Sequence, residues 1–217
     1  MYLTNVKKFV RMGTNVIPTH EKCMKEMLGP ALFAGMGVFF CCLLKGYYLL
    51  IALALVLIVA LNMIITYKIS SCTMTLRRCL MLKSVLYVTY IIVLSLFELI
   101  FFLMWKGLHP SVILLYIPII IIPIWIMWQN YRIMKKETEY TPKSTVVSNI
   151  GIVGFTSGII GANIARIFKN VEQSTAIIII LIGVTFVNSL MSVGLGFIQK
   201  VYWAEKYRIT FEDDNKC

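Results

Sequence analysis

Charged side chains are scarce in this sequence. Asp, Glu, Lys and Arg together make up 14% of the 217 residues, whereas hydrophobic residues make up 59%. Charged residues make up about a quarter of a typical soluble domain, and the mean hydropathy of this chain is +0.82. The composition therefore excludes an ordinary water-soluble fold and predicts an integral membrane protein.

Side chains suited to catalysis are also few. The chain has two histidines, His20 and His109, and neither stands beside a carboxylate or a cysteine at the spacing of a metal site or a catalytic triad. Glu98 is the one acidic residue within a long apolar segment, and the sequence contains no glycine-rich phosphate loop between a strand and a helix pattern. We therefore expect no enzymatic activity and no cofactor.

The six cysteines do not form a disulfide framework or a zinc-binding pattern. Cys72 and Cys79 lack the close, paired spacing of zinc ligands, and Cys41 and Cys42 are adjacent within an apolar segment. The predicted topology places the four cysteines outside the apolar segments on the reducing side of the membrane, namely Cys23, Cys72, Cys79 and Cys217. We expect free thiols and no metal site.

Long hydrophobic segments dominate the rest of the sequence. A helix needs about 20 mostly apolar residues to cross a bilayer, and six segments bounded by charged or turn residues meet this requirement. Because short connections join these segments in pairs, we predict an all-α polytopic membrane protein, a bundle of six transmembrane helices arranged as three hairpins. Residues 1–217 would form a single integral membrane domain with short ends. The predicted spans are about 28–44, 47–66, 84–105, 112–128, 149–168 and 175–197.

Basic residues predict the orientation of these spans. Residues 1–27, 67–83, 129–148 and 198–217 hold five, four, four and four of the 21 Lys and Arg residues. Because cytoplasmic segments retain Lys and Arg, both termini are predicted to be cytoplasmic in a multi-pass protein of the cell membrane. The same asymmetry accounts for the net charge of +11, so we expect the lipid bilayer as a partner and no nucleic acid.

The two ends of the chain are polar or amphipathic. The opening MYLTNVKKFVRM predicts either a frayed terminus or a short amphipathic helix on the inner membrane surface. We expect residues 205–217, which are mixed in charge, to be partly disordered. If the opening residues form the amphipathic helix, its lipid-facing residues would be Tyr2, Leu3, Val6, Phe9 and Val10.

Small residues recur on one side of the predicted fifth span. They follow steps of three and four along GIVGFTSGIIGANIA, so they form a groove that lets another backbone approach closely. The simpler prediction is that the groove packs against the sixth span. The alternative is that it receives a helix of another protein or of a second copy of this chain, which would make a homo-oligomer. The groove residues are Gly151, Gly154, Gly158, Gly161 and Ala165.

Polar residues recur on one side of the predicted sixth span, at Thr185, Asn188, Ser189 and Ser192, and Gln199 extends this stripe. Polar groups in lipid need hydrogen-bond partners, so this side is expected to face the bundle interior. The stripe predicts either a seam of hydrogen bonds between helices or the lining of a polar path for a solute.

Glu98 is the strongest single candidate for a functional residue, because inserting an ionisable side chain into the bilayer costs on the order of 3 kcal/mol. Counting residues from Trp105 places Glu98 about 10 Å below the outer end of the third span. Asn163 and Arg166 of the fifth span come to a similar depth. We predict that Glu98 pairs with Arg166 or hydrogen-bonds to Asn163; the alternative is a protonated carboxyl that takes part in solute transport.

Two prolines, Pro118 and Pro123, interrupt the predicted fourth span. Each removes a backbone donor and is expected to kink the helix. Interrupted helices occur at many transporter sites, although a matching interruption elsewhere in the chain is lacking.

These features favour a non-catalytic membrane protein that acts through helix–helix contacts in the bilayer. Its partner would be another membrane protein or a membrane-active polypeptide, as for an immunity protein that neutralises a membrane-active toxin. The alternative function is a transporter or permease subunit, with a polar path lined by the sixth span and Glu98.

Overall fold

The computed structural model describes residues 3–11, 18–107, 109–135 and 173–210. All regular structure in these four ranges is helical, and none of them contains a strand. The predicted fifth span lies outside the described residues. The candidate residues within it are therefore outside as well: Gly151, Gly154, Gly158, Gly161, Asn163, Ala165 and Arg166.

Eight α-helices are found in the described ranges. Four helical stretches among them are long and apolar enough to cross a membrane, at His20–Leu44, Tyr48–Ser70, Leu76–Lys106 and Thr175–Lys206. One 3-10 turn, Pro110–Val112, precedes α6, and a second, Val193–Leu195, joins α7 to α8. The helices are α1 Leu3–Arg11, α2 His20–Glu26, α3 Leu28–Leu44, α4 Tyr48–Ser70, α5 Leu76–Lys106, α6 Ile113–Lys135, α7 Gln173–Ser192 and α8 Gly196–Lys206.

Local sequence signals account for the helix ends. The Thr19 and Thr75 side chains accept hydrogen bonds from the third residue beyond them and so cap α2 and α5. The turn between α3 and α4 needs positive φ angles at two consecutive positions, 60° at Lys45 and 62° at Gly46. A glycine adopts this conformation without strain, which explains the tight connection of the first predicted hairpin.

The connection between α4 and α5 is shorter than the predicted basic loop 67–83. Helix α4 continues to Ser70 and α5 begins at Leu76, so much of that segment is helical. Lys and Arg are good helix formers, and their long side chains can reach polar surroundings while the backbone stays helical. Arg77, in the first turn of α5, pairs with Glu205 of α8 at 3.0 Å.

Helix α5 is the centre of the described bundle, since it contacts α3, α4, α7 and α8. Its buried Phe97 and Ile100 pack with Cys41 of α3, Leu55 of α4 and Leu181 of α7 in the larger core cluster. This arrangement packs other helices around the middle of α5 and buries one side of it, including Val93, Phe97 and Ile100.

Close contact with α5 also constrains the turn between α7 and α8. A Cβ atom at Gly194 would overlap the ring of Tyr87 on α5, and the Tyr87 ring in turn stacks on Phe197 at 5.5 Å between centroids. No heavy atom lies within 4 Å of a Cβ built at Gly196. Gly194 therefore provides space for an aromatic ring, whereas Gly196 does not.

Residues Leu3–Arg11 form helix α1, the first of the two predicted alternatives for this end of the chain. The prediction that its apolar side faces lipid is wrong for three residues. Val6, Phe9 and Val10 are buried in a second core cluster that includes Trp203 and Ile209. The end of α8 and the residues after it supply apolar surface of this chain, which takes the place of lipid. A hydrogen bond of 3.1 Å from the Arg11 guanidinium to the backbone oxygen of Thr210 joins the same two segments.

Candidate functional site

Three helices bring polar side chains together in the interior of the bundle. Ser95 and Glu98 are three residues apart on α5 and therefore lie on one side of it. Asn188 of α7 and Tyr116 of α6 face the same region. We call these four residues, Ser95, Glu98, Tyr116 and Asn188, the buried polar cluster.

Asn188 connects the two residues of α5. Its Nδ2 donates to Glu98 Oε1 and to Ser95 Oγ, each at 3.0 Å. Both Glu98 and Asn188 are 0% exposed. One amide group thus uses both of its N–H donors on a neighbouring helix, which fixes the rotation of α7 relative to α5.

Tyr116 attaches α6 to the same place. Its hydroxyl donates to the backbone oxygen of Ser95 at 3.2 Å. A helix carbonyl that already accepts within its own helix has a second lone pair for such a bond. Three helices are therefore joined at one level of the bundle.

Three buried oxygen atoms near this level have no hydrogen-bond partner among the described residues: Glu98 Oε2, Asn188 Oδ1 and Thr185 Oγ1. Leaving a buried polar atom unpaired costs about 1 to 3 kcal/mol. These atoms could accept hydrogen bonds from a donor in the remaining part of the chain or from a bound solute.

The serines of the predicted polar stripe bond within their own helix. Ser189 Oγ donates to the backbone oxygen of Thr185 at 2.8 Å, and Ser192 Oγ donates to that of Ser189 at 2.6 Å. Bonds of this kind satisfy a hydroxyl without a second helix. Within the part of the chain that the structure describes, Asn188 alone among the four stripe residues bonds to another helix.

A second polar contact joins α6 to α8. Gln199 Nε2 donates to the backbone oxygen of Met127 at 3.1 Å, and Asn130 Nδ2 donates to Gln199 Oε1 at 3.4 Å. Gln199 is predicted from the sequence as part of the polar stripe, whereas Asn130 and Tyr116 are not. Their signal was weak, because each is a polar residue near the end of an apolar segment, where contact with water is the simpler expectation.

The two prolines of the predicted fourth span lie within α6. The helix continues from Ile113 to Lys135 through both positions, and Pro123 is buried. The kink remains a prediction, since the secondary structure shows no break in this helix.

Two cavities lie at different places on the bundle. One, of about 270 Å³, has a lining that includes Lys22, Thr66 and Lys83. The other, of about 250 Å³, has a lining that includes Leu99 and His109. Neither cavity is lined by Glu98 or Asn188, so the buried polar cluster opens into neither of them.

The histidines bond locally. His20 Nδ1 and Ser70 Oγ lie 2.7 Å apart, and His109 Nδ1 lies at the same distance from Ser111 Oγ. Over residues 3–11, 18–107, 109–135 and 173–210, no three His, Cys, Asp or Glu side chains are grouped to hold a metal ion. The five described cysteines are free thiols.

In comparisons with known proteins, no family model, no curated protein sequence and no solved structure matches this chain.

Proposed function

We propose that the whole chain is a single-domain protein of the cell membrane with six spans in three hairpins and both termini in the cytoplasm. Four apolar helices support a membrane location. Helix α6 also carries exposed apolar side chains, with Ile113, Ile120 and Ile124 each more than half exposed. The concentration of basic residues in alternate connections supports the orientation.

Thiol labelling tests this orientation. In a chain whose other cysteines are replaced, the exposed Cys72 should react with a membrane-impermeant maleimide only after the cells are permeabilised. His109→Cys, at an exposed position before α6, should react in intact cells. The opposite pattern would overturn the proposed orientation.

We infer that the protein acts as a non-catalytic membrane partner, of the type of an immunity protein that neutralises a membrane-active toxin. The observation that supports this best is the burial of Glu98 and Asn188, which bond to one another across two helices. Polar groups used in this way stabilise the bundle and leave its apolar outer sides for contact with other helices.

The outer surface of the first hairpin fits such contacts. Leu32 and Phe39 of α3 are 69% and 62% exposed, and Leu50 of α4 is 71% exposed. In a bilayer these side chains meet lipid or another membrane-embedded helix. A partner would therefore be recognised by packing of apolar side chains within the membrane, without a catalytic group.

A transporter or permease subunit is the second candidate function. The three unpartnered oxygen atoms near Asn188 favour it, because a proton or a polar solute could satisfy them. In that case Glu98 would take part in binding the transported species, and its titratable group would be required.

A matched pair of variants separates the two functions. Cells with and without the protein are exposed to a panel of membrane-active polypeptides while the membrane potential is followed with a voltage-sensitive dye. As a partner protein, the chain should protect against at least one polypeptide, and Glu98→Gln should keep that protection because the amide retains the size and hydrogen bonding of the carboxyl. Glu205→Gln is the control, because Glu205 is exposed and its ion pair with the exposed Arg77 contributes little to stability.

The transport function predicts a different result. Proteoliposomes containing the purified chain should then show solute-coupled proton flux, and Glu98→Gln should abolish the flux without lowering the amount of protein. Absence of protection across the panel together with this loss of flux would overturn the partner proposal.

A further inference from the structure

The cavity of about 270 Å³ has both charged and apolar walls. Helix α2 contributes Lys22 and Glu26, α4 contributes Thr66, and α5 contributes Lys83. Met27, Leu82 and Leu86 form much of the apolar side. This combination is typical of a site for an amphipathic ligand.

The position of the cavity along the helices indicates the depth of its ligand. Thr66 lies four residues before the end of α4 at Ser70, which is about 6 Å along the helix axis. Helix α4 has 23 residues and is therefore about 35 Å long, whereas the hydrocarbon core of a bilayer is about 30 Å thick. The last turn of α4 then reaches the headgroup layer, and the cavity lies at the boundary between headgroups and acyl chains.

The Thr66 hydroxyl has no partner in the described structure. The residue is 3% exposed, and its Oγ1 makes no hydrogen bond to any described residue. Thr89 of α5 shows the usual alternative, since its hydroxyl donates to the backbone oxygen of Val85 at 2.7 Å. A ligand with an oxygen acceptor would satisfy Thr66 and remove the cost of burying it unpaired.

The charges around the cavity favour an anion. Lys22 and Lys83 contribute two positive charges to the lining, and Glu26 offsets one of them. A third cation is close by, because the Nζ atoms of Lys83 and Lys200 lie 5.4 Å and 4.8 Å from the centroid of the same ring, that of Phe197. Basic pockets between membrane helices at this level bind the phosphate groups of lipids.

We propose that this cavity binds the phosphate-bearing headgroup of an anionic membrane lipid. Lys22 and Lys83 pair with the phosphate, and the Thr66 hydroxyl donates a hydrogen bond to it. The apolar side of the cavity contacts the beginning of an acyl chain. Soluble phosphate shares the headgroup chemistry, but the depth of the cavity and its apolar side favour a lipid.

Native mass spectrometry of the delipidated, detergent-purified full chain tests the proposal. The chain is titrated with phosphatidylglycerol and with phosphatidylcholine of the same acyl chains. Phosphatidylglycerol should bind about tenfold more tightly than phosphatidylcholine. The double variant Lys22→Met, Lys83→Met should weaken phosphatidylglycerol binding about thirtyfold, and Thr66→Val should weaken it about fivefold.

Lys25→Met is the matched control, because Lys25 is on the same helix but pairs with Glu21 at 2.6 Å and does not line the cavity. It should bind phosphatidylglycerol as the unmodified chain does. Thermal melting without lipid shows whether the double variant folds. If it does not, Lys22→Met alone replaces it in the test, because Lys22 is exposed and its substitution should not impair folding. This single variant should weaken phosphatidylglycerol binding about fivefold.

Three results would overturn the proposal. The first is phosphatidylglycerol binding that is unchanged in the cavity variants. The second is an equal loss in Lys25→Met, which would indicate general surface attraction. The third is displacement of the lipid by a millimolar excess of inorganic phosphate, which would assign the cavity to a soluble anion.

Discussion

Removal of the Asn188 amide should destabilise the protein through Glu98. In Asn188→Leu, both bonds from Nδ2 are lost, so Glu98 Oε1 and Ser95 Oγ lose a donor that lies 3.0 Å away. Hydrogen bonds between membrane helices contribute about 0.6 kcal/mol on average and up to about 1.7 kcal/mol. A buried polar group left unpaired adds about 1 to 3 kcal/mol.

We expect these losses to outweigh the removal of the unpartnered Asn188 Oδ1, so Asn188→Leu should lower the free energy of unfolding by about 1 to 2 kcal/mol. The double variant with Glu98→Met should lose less than the sum of the two single variants, because both partners of the bond between Glu98 and Asn188 are then apolar and only Ser95 Oγ still lacks its donor. The coupling energy should be on the order of 1 kcal/mol. The free energy of unfolding is measured for the unmodified chain, the two single variants and the double variant. The assay is reversible unfolding of the purified chain in mixed micelles with increasing sodium dodecyl sulfate.

Ser192→Ala provides the control within the same helix. Ser192 is also fully buried, but its hydroxyl donates to the backbone oxygen of Ser189 in α7 itself. Its removal should cost less than about 0.5 kcal/mol. Additive losses in the double variant, within about 0.5 kcal/mol, would refute the conclusion that the bond between Glu98 and Asn188 stabilises the bundle.

Two further predictions concern packing. Gly194→Ala should lower the free energy of unfolding in the micelle assay by about 1 to 3 kcal/mol, because the added methyl group would overlap the Tyr87 ring. Gly196→Ala should cause no loss in the same assay. Phe9→Ala should lower the free energy of unfolding by about 3 kcal/mol, because Phe9 is only 4% exposed. Leu3→Ala on the same helix should lower it by less than about 1 kcal/mol, because Leu3 is 48% exposed. Equal effects of the two variants would contradict the packing of α1 against α8.

Hydrophobicity predicted the positions of the apolar helices more reliably than it predicted their ends. Helix α3 occupies Leu28–Leu44, as the sequence predicted, because Lys45 and Gly46 impose a turn directly after it. Helix α5 instead begins at Leu76, well before residue 84. Its first two turns contain basic residues, and a window that measures hydropathy cannot distinguish a charged loop from a charged helix end.

Periodicity predicted the apolar side of α1 but not the surface that covers it. Val6, Phe9 and Val10 share one side of the helix, as the sequence indicated, and that side is buried. The covering surface comes from Trp203 and Ile209, almost the full length of the chain away. An amphipathic pattern predicts which side of a helix is apolar. It does not predict whether lipid or protein covers that side, because both are apolar surroundings.

The partner of Glu98 illustrates the same limit inside the bundle. Composition identified Glu98 and Asn188 separately, since each is a polar residue within an apolar helix. Depth along the spans predicts Arg166 or Asn163 as the partner of Glu98. Both lie outside the described residues, so that pairing remains a prediction. A depth counted along each helix assumes that all helices start at one membrane plane and run parallel to its normal, but real helices tilt and differ in length. By that count Asn188 lies about 10 Å deeper than Glu98, yet their side chains meet at 3.0 Å. The contact therefore depends on the lengths and relative positions of α5 and α7, which packing determines and residue counting does not.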